Sequence, residues 1–298
     1  MPVIDIDYDE LRELTAHEEK SDDALEGDLF DLGLEYEGET ESGDAKLELE
    51  PDRLDRLSVE GIARSLRYQY GDDRGVYVPN TNAPNWTIEV EDVPPERPYV
   101  TGAVIRGIDL DEDTLDSLIQ LQEKLHATMG RKRAKGAIGI HDLAMLKGQK
   151  ITDAVDSAGT RSIRYTGVEP AGDRFVPLEG DDDMTPEQVL SDHHIGQTYA
   201  DLVGEYDSYP AIYDDIGLFS FPPVINGRRT EVTTDSRELF VEMTGTDQWT
   251  IDKMLNIVCY ALDARGATIE EVAVEYPDRD RYAGDDSELV RPGATLVR

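Results

Sequence analysis

The sequence predicts an α+β fold made of two mixed α/β modules, the second rich in β-strand. Three observations carry this. Short runs alternating apolar and polar residues, the mark of half-buried strands, are interleaved with longer runs of helical period. A proline-rich segment, "PPERP" at 94–98, forms a stiff connector and places a division near residue 95. "VINGRRTEV" sets Asn226–Gly227 between two strand-like stretches, a hairpin signal. A chain of 298 residues is long enough for two modules of roughly 100–200 residues each.

The elements follow in order. "PVIDID" alternates as a strand and "YDELRELTA" continues as a helix. Residues 36–46 read as a polar loop leading to the strand "LELE". "DRLSVEGIARSLRYQYG" spaces Leu57, Ile62, Leu66 and Tyr70 for a helix that Gly71 stops. Residues 71–85 are turn-rich. In the second module "YVTGAVIRGIDL" reads as a strand. "DEDTLDSLIQLQEKLHATMG" gives the clearest helix, with acids at its start and Lys124 and His126 near its end. "GAIGI", "TRSIRYTGVEP" and "DRFVPL" read as sheet, and "TPEQVL" as a helix with Pro186 in its first turn. The proposed hairpin, the helix "DKMLNIVCYALDARG" and the strand "IEEVAVEYP" complete the module, and the sequence turns polar from about 277.

Composition bounds the solvent and the chemistry. Asp and Glu number 65 against 29 Lys and Arg, a formal charge of -36, and the acid is spread along the chain. Such an excess repels itself in dilute buffer, but at about 1 M salt the screening length falls to roughly 3 Å. The composition fits a salt-accumulating cytoplasm. One cysteine, Cys259, excludes an internal disulfide and a cysteine zinc site, and its apolar setting reads as buried helix face. No signal peptide and no run of roughly 20 apolar residues is present, so a soluble cytoplasmic protein without a membrane is expected.

Against this acidic background, islands of positive charge stand out. Arg131, Lys132, Arg133 and Lys135 form the densest one. They read either as helix C-terminal charge in a solvated loop or as a contact for an anionic ligand such as a nucleic-acid backbone. His141–Asp142 reads as a structural histidine beside an acid facing the other way. Asp192, His193 and His194 read as the start of a helix rather than a metal site. No phosphate-binding glycine loop, nucleophile elbow or metalloprotease signature occurs, so no metal and no cofactor is expected. Pro222–Pro223 is expected on a rim or edge. Asn226 and Gly227 are expected to bare amide donors at a turn from which Arg228 and Arg229 project. Ser220, Glu242 and Thr244 would supply hydroxyls and a carboxylate on the flanking strands.

Three separated blocks, "RLSVEGIARSLR", "QEKLHATMGRKRAKGAIGIHDL" and "SFPPVINGRRTEVTTDSRELFVEMTGTD", closely resemble the β subunit of archaeal and eukaryotic-type phenylalanyl-tRNA synthetase. The sequence departs from the family pattern at Leu54 and Arg56. It is also shorter than such subunits, as expected of an N-terminal portion. The resemblance implies an N-terminal module at 1–95, a tRNA synthetase editing domain (tRNA-binding, B3/B4-like) at 96–276, and a linker or tail at 277–298. In the family, editing hydrolyses tyrosine misattached to phenylalanine tRNA. A synthetic pocket rejects a substrate that merely adds a hydroxyl only about 100-fold, so a second site must sense that hydroxyl.

On this reading Glu242 contacts the phenol, Thr244 and Ser220 flank the substrate, and Asn226 and Gly227 approach the ester carbonyl. Arg131, Lys132, Arg133, Lys135, Arg228 and Arg229 meet the RNA. For the whole synthetase the resemblance implies ATP, Mg2+ and an α subunit in an assembly of two α and two β. A non-catalytic RNA-binding or scaffold module is the competing reading, which has no use for a tyrosine-sensing acid at 242. A carboxylate metallohydrolase is a third and predicts chelator-sensitive activity.

Overall fold

The computed structural model describes residues 2–50, 52–150 and 161–276; the expected tail at 277–298 lies outside them. The chain begins with β1 (Val3–Ile6), α1 (Tyr8–Thr15), α2 (Asp22–Asp31), β2 (Glu35–Glu39), β3 (Ala45–Glu48) and α3 (Val59–Tyr70). The three strands form an antiparallel sheet in the order β1-β3-β2. Each helix starts where a side chain satisfies free amides: Asp7 caps α1, Ser21 caps α2 and Ser58 caps α3. Gly71, at φ 84°, closes α3 as the sequence suggests. All of β2 but its first residue falls inside the stretch read as a polar loop; its side chains are mostly exposed, so it lacks the apolar alternation that reveals a strand.

The remaining elements are β4 (Thr81–Val90), β5 (Tyr99–Arg106), α4 (Glu112–Ala127), β6 (Gly136–Asp142), β7 (Gln149–Lys150), β8 (Arg161–Val168), α5 (Pro186–Asp192), α6 (His194–Tyr199), β9 (Tyr209–Tyr213), β10 (Leu218–Phe221), β11 (Ile225–Asn226), β12 (Glu238–Gly245), α7 (Gln248–Ala264) and β13 (Thr268–Glu275). The strands build a ten-stranded sheet in the order β11-β10-β9-β8-β4-β13-β5-β12-β6, with β7 added against β8. β13 pairs parallel to β4 and antiparallel to β5. The division expected near residue 95 does not coincide with the division of strands between sheets, because β4 belongs to the larger one. The turn-forming residues Ala83–Asn85 fall where the β4–β13 register shifts, between the pairs Glu270–Asn82 and Val272–Trp86, and a strand absorbs them there.

The large sheet has two differently covered faces. Leu239, Val241 and Met243 of β12 join one core with Ile251, Met254 and Val258 of α7, Leu118 and Leu125 of α4, and the apolar residues of the N-terminal elements. Phe240 points the other way, among Trp86, Tyr165 and Phe219. The sheet curls so that this second face closes on itself: Ser220 of β10 hydrogen-bonds Glu242 of β12, although β9, β8, β4, β13 and β5 separate those strands.

The Asn226–Gly227 hairpin is corrected. The chain reverses at Pro222–Val224, where the Val224 amide donates to the Phe221 carbonyl at 2.8 Å. Gly227 is extended at φ -79°, and Arg228–Thr230 form a single 3-10 turn beyond it. "DRFVPL" contributes only isolated bridges, Phe175 to Met184 and Pro177 to Gly227.

Candidate active site

A cavity of about 280 Å³ opens between α4, the edge strand β6 and the 222–226 turn, with Glu242 in its wall. Strand register places the acid. Glu242 stands between Gly139 on β6 and Gly102 on β5. The gap beside it exists because residue 139 has no side chain. A Cβ there would lie 2.2 Å from Glu242 Oε1 and 2.9 Å from His141 Nε2.

Glu242 is 1% exposed. Its Oε1 accepts from Ser220 Oγ at 3.1 Å, and its Oε2 has no hydrogen-bond partner among the described residues. Ser220 Oγ also lies 3.1 Å from Asn226 Oδ1, and Asn226 lines the cavity. His141 is fully buried, with Nδ1 2.8 Å from Thr230 Oγ1 and its ring edge-on to Phe219. Its Nε2 makes no hydrogen bond and sits 3.8 Å from Glu242 Oε1. Asp142 turns away, as alternation requires, and accepts from Ser236. The cavity therefore adjoins a cluster of buried carboxylate, hydroxyl and imidazole groups with the half-buried Asn226 amide, in which Glu242 Oε2 and His141 Nε2 have unused hydrogen-bonding capacity.

The other expected residues divide. Thr244 is buried next along the same face of β12, but it is engaged: Arg97 donates to its Oγ1 at 2.9 Å and to its carbonyl at 2.8 Å. Gly227 does not bare its amide, which donates to the Phe219 carbonyl at 2.7 Å. Arg133 lines the cavity as a strut: it donates to the Val224 carbonyl at 2.9 Å and to Glu123 Oε1 at 3.0 Å, and lies over the Tyr199 ring. Glu123 is held at about 2, first by its hydrogen bond to His126 and then by the Arg133 charge, against the cost of burial.

Lys135 pairs with Asp247 at 3.1 Å, Arg228 with Asp181 at 2.7 Å, and Arg229 grips the buried Asp214 with both terminal nitrogens. Arg131 and Lys132 are exposed, and neither side chain makes a hydrogen bond or ion pair within the described residues. His193 precedes α6 and stacks on His194, as expected of a helix start. Among the described residues Glu35, Glu37 and Glu48 are grouped closely enough to share a cation, but they lie on the small sheet. No helix among the described residues is long and apolar enough to cross a membrane.

Gly139, Gly102 and Arg97 escaped the sequence reading. A glycine inside a strand can signal close approach of another group, and "GAIGI" carried that signal at 139. Nothing local marked Arg97.

No family model matches the chain. A protein of Halobacterium salinarum described as phenylalanine–tRNA ligase β subunit is 74% identical over 287 residues, covering 96% of this chain and 50% of that protein. Counterparts with the same description from Halorubrum lacusprofundi and Methanocella arvoryzae are 68% and 41% identical, over 98% and 96% of this chain. The crystal structure of an N-terminal fragment of the phenylalanyl-tRNA synthetase β subunit from Pyrococcus horikoshii superposes with a TM-score of 0.84 at 32% identity, covering 93% of this chain and 78% of that one. These relatives are aminoacyl-tRNA synthetase subunits, ligases of protein biosynthesis, and the acidic composition fits the halophilic archaea among them. The chain belongs to the phenylalanine–tRNA ligase β-subunit family and corresponds to its N-terminal part. It spans about half the length of the curated relatives it matches.

Proposed function

We propose that this part of the subunit binds phenylalanine tRNA and hydrolyses tyrosine misattached to it. One observation carries the proposal: a buried carboxylate with an unpartnered oxygen in the wall of a cavity, on a chain of this family. A cavity of about 280 Å³ lies just below the usual range of ligand sites, roughly 300–1,000 Å³, and suits a single aromatic amino acid. A phenol donating to Glu242 Oε2 supplies the missing partner. Phenylalanine leaves it unsatisfied, at a cost of about 1–3 kcal/mol or more for a charged group.

The reaction is ester hydrolysis. Water adds to the tyrosyl carbonyl, the bond to the terminal ribose oxygen breaks, and a proton passes to that oxygen, giving free tyrosine and tRNA. Asn226 lines the wall, Ser220 holds the Glu242 carboxylate from behind it and Thr244 anchors the strand through Arg97, and positioning with fixed dipoles provides the rate. The Gly227 amide is spent on Phe219 and is left out of this scheme. Of the six cations expected to meet RNA, exposed Arg131 and Lys132 are the ones proposed to touch it. Aminoacylation, with its ATP, Mg2+ and an α subunit in a two-α, two-β assembly, is assigned to the whole synthetase, in the cytoplasm. The test is tyrosine release from mischarged phenylalanine tRNA. Glu242→Ala is expected to cut release and tyrosine-over-phenylalanine preference while sparing tRNA affinity. A wild-type chain that binds tRNA but releases no tyrosine would favour a scaffold module instead.

A further inference from the structure

Arg97 is 1% exposed and has no carboxylate among its hydrogen-bond partners in the described residues. All four acceptors are neutral. Nε and Nη2 reach Thr244, the first its hydroxyl and the second its carbonyl, while Nη1 reaches the carbonyls of Arg133 and Ala134 at 3.2 and 3.4 Å. Its own carbonyl accepts from the buried Tyr165 hydroxyl at 2.6 Å. Burying a guanidinium that no carboxylate hydrogen-bonds is costly, the Glu242 charge offsetting only part of the burial, so the geometry that it secures calls for an explanation.

That geometry is unusual. Arg131, Lys132 and Arg133 are three consecutive non-glycine residues in the left-handed region, at φ 48°, 55° and 69°. Side chains disfavour this conformation because Cβ crowds the following carbonyl, and a run of three persists only where the surroundings impose it. Arg97 grips the C-terminal end of this run, and the Gly130 carbonyl closes the loop by accepting from Lys135. Arg133 is turned inward to the cavity, leaving Arg131 and Lys132 exposed beside it. The same guanidinium holds β12 two residues from Glu242.

We propose that Arg97 is a positioning residue for RNA: by clamping the left-handed 131–133 loop to the strand that carries Glu242, it presents Arg131 and Lys132 as a fixed pair of phosphate contacts beside the cavity. This rests on the reading that tRNA is the ligand, and it deepens that reading. A lysine at 97 keeps the charge but lacks the planar fork that reaches two segments at once.

The experiment measures binding of phenylalanine tRNA by the full chain as a function of KCl concentration. Two phosphate contacts at about 0.7 each on single-stranded RNA contribute roughly 1.4 to the slope of log affinity against log salt. Arg97→Lys and the double replacement Arg131→Ala with Lys132→Ala are each expected to flatten the slope by that amount. Combining them should add nothing, because both remove the same contacts. A general loss of packing would lower affinity at an unchanged slope, which overturns the proposal, as do additive slope losses. Arg131 and Lys132 are exposed, so their replacement is informative even where Arg97→Lys fails to fold; an unchanged slope there also overturns it, as does a wild-type chain that does not bind tRNA. Tyrosine release is not the readout. A chain that binds with these slopes but does not deacylate sinks the editing reading and leaves this one standing.

Discussion

Replacing Gly139 with alanine puts a methyl carbon 2.2 Å from Glu242 Oε1, 2.8 Å from its Cδ and 2.9 Å from His141 Nε2. Carbon and oxygen cannot approach so closely, and restoring an ordinary contact of about 3.5 Å displaces the carboxylate by roughly 1 Å. The nearest atoms met are all side-chain atoms, so the strand itself can stay in register. Overpacking of this kind costs about 1–3 kcal/mol, and the fold should survive with a Tm lowered by roughly 2–12 °C. The effect on chemistry should be larger, since a group misplaced by about 1 Å loses on the order of 100-fold in rate. The assay is single-turnover release of tyrosine from mischarged phenylalanine tRNA in molar KCl, beside thermal unfolding of the same preparation. A folded Gly139→Ala chain that releases tyrosine at the wild-type rate would refute the placement of Glu242 against the substrate.

Two predictions concern the scaffold. Arg265 donates to Glu10 Oε1 and Glu60 Oε1, each at 2.5 Å, and to Thr114 Oγ1, joining α7 to α1, α3 and α4. Arg265→Met strands two largely buried carboxylates and is expected to cost about 3–5 kcal/mol, read as a lowered Tm in molar KCl; an unchanged Tm would show that the network contributes nothing net. Burial lowers the pKa of His126, whose Nε2 must stay unprotonated to accept from the Ile138 amide at 2.8 Å. The unfolded chain therefore takes up the proton first, and stability should fall as pH drops through about 6.5 toward the depressed folded value. Glu123, held at about 2, contributes fully above its ordinary 4.5 and loses that contribution between there and about 2. Tm measured against pH tests both, and His126→Gln should flatten the slope below 6.5.

Where one element carried its own evidence, the sequence was readable. α4 has acids at its start, an apolar stripe and a basic end, and the structure places Glu112–Ala127 as a helix capped by Asp111. Glu242 was legible as a carboxylate in a strand. What could not be read was the pairing that makes it a site. Gly139 and Gly102 matter only because register sets them on either side of Glu242, and register depends on the whole sheet. The Asn226–Gly227 signal failed because Pro222–Val224 had already turned the chain, leaving Gly227 extended to bond Phe219. Arginines that looked free in sequence proved to be paired, Arg229 with Asp214 and Arg228 with Asp181, as is natural where acids outnumber bases.

The position of β13 has a consequence for how the chamber comes into being. It is the last described strand to be synthesised, yet it is the keystone of the large sheet, wedged between β4 and β5. Without it the strands fall into two half-sheets, one holding Ser220 and Asn226 and the other holding Glu242 and His141. A nascent chain thus carries every ingredient of the chamber before residue 268 leaves the ribosome, while the backbone ladder that joins the two halves comes only with β13.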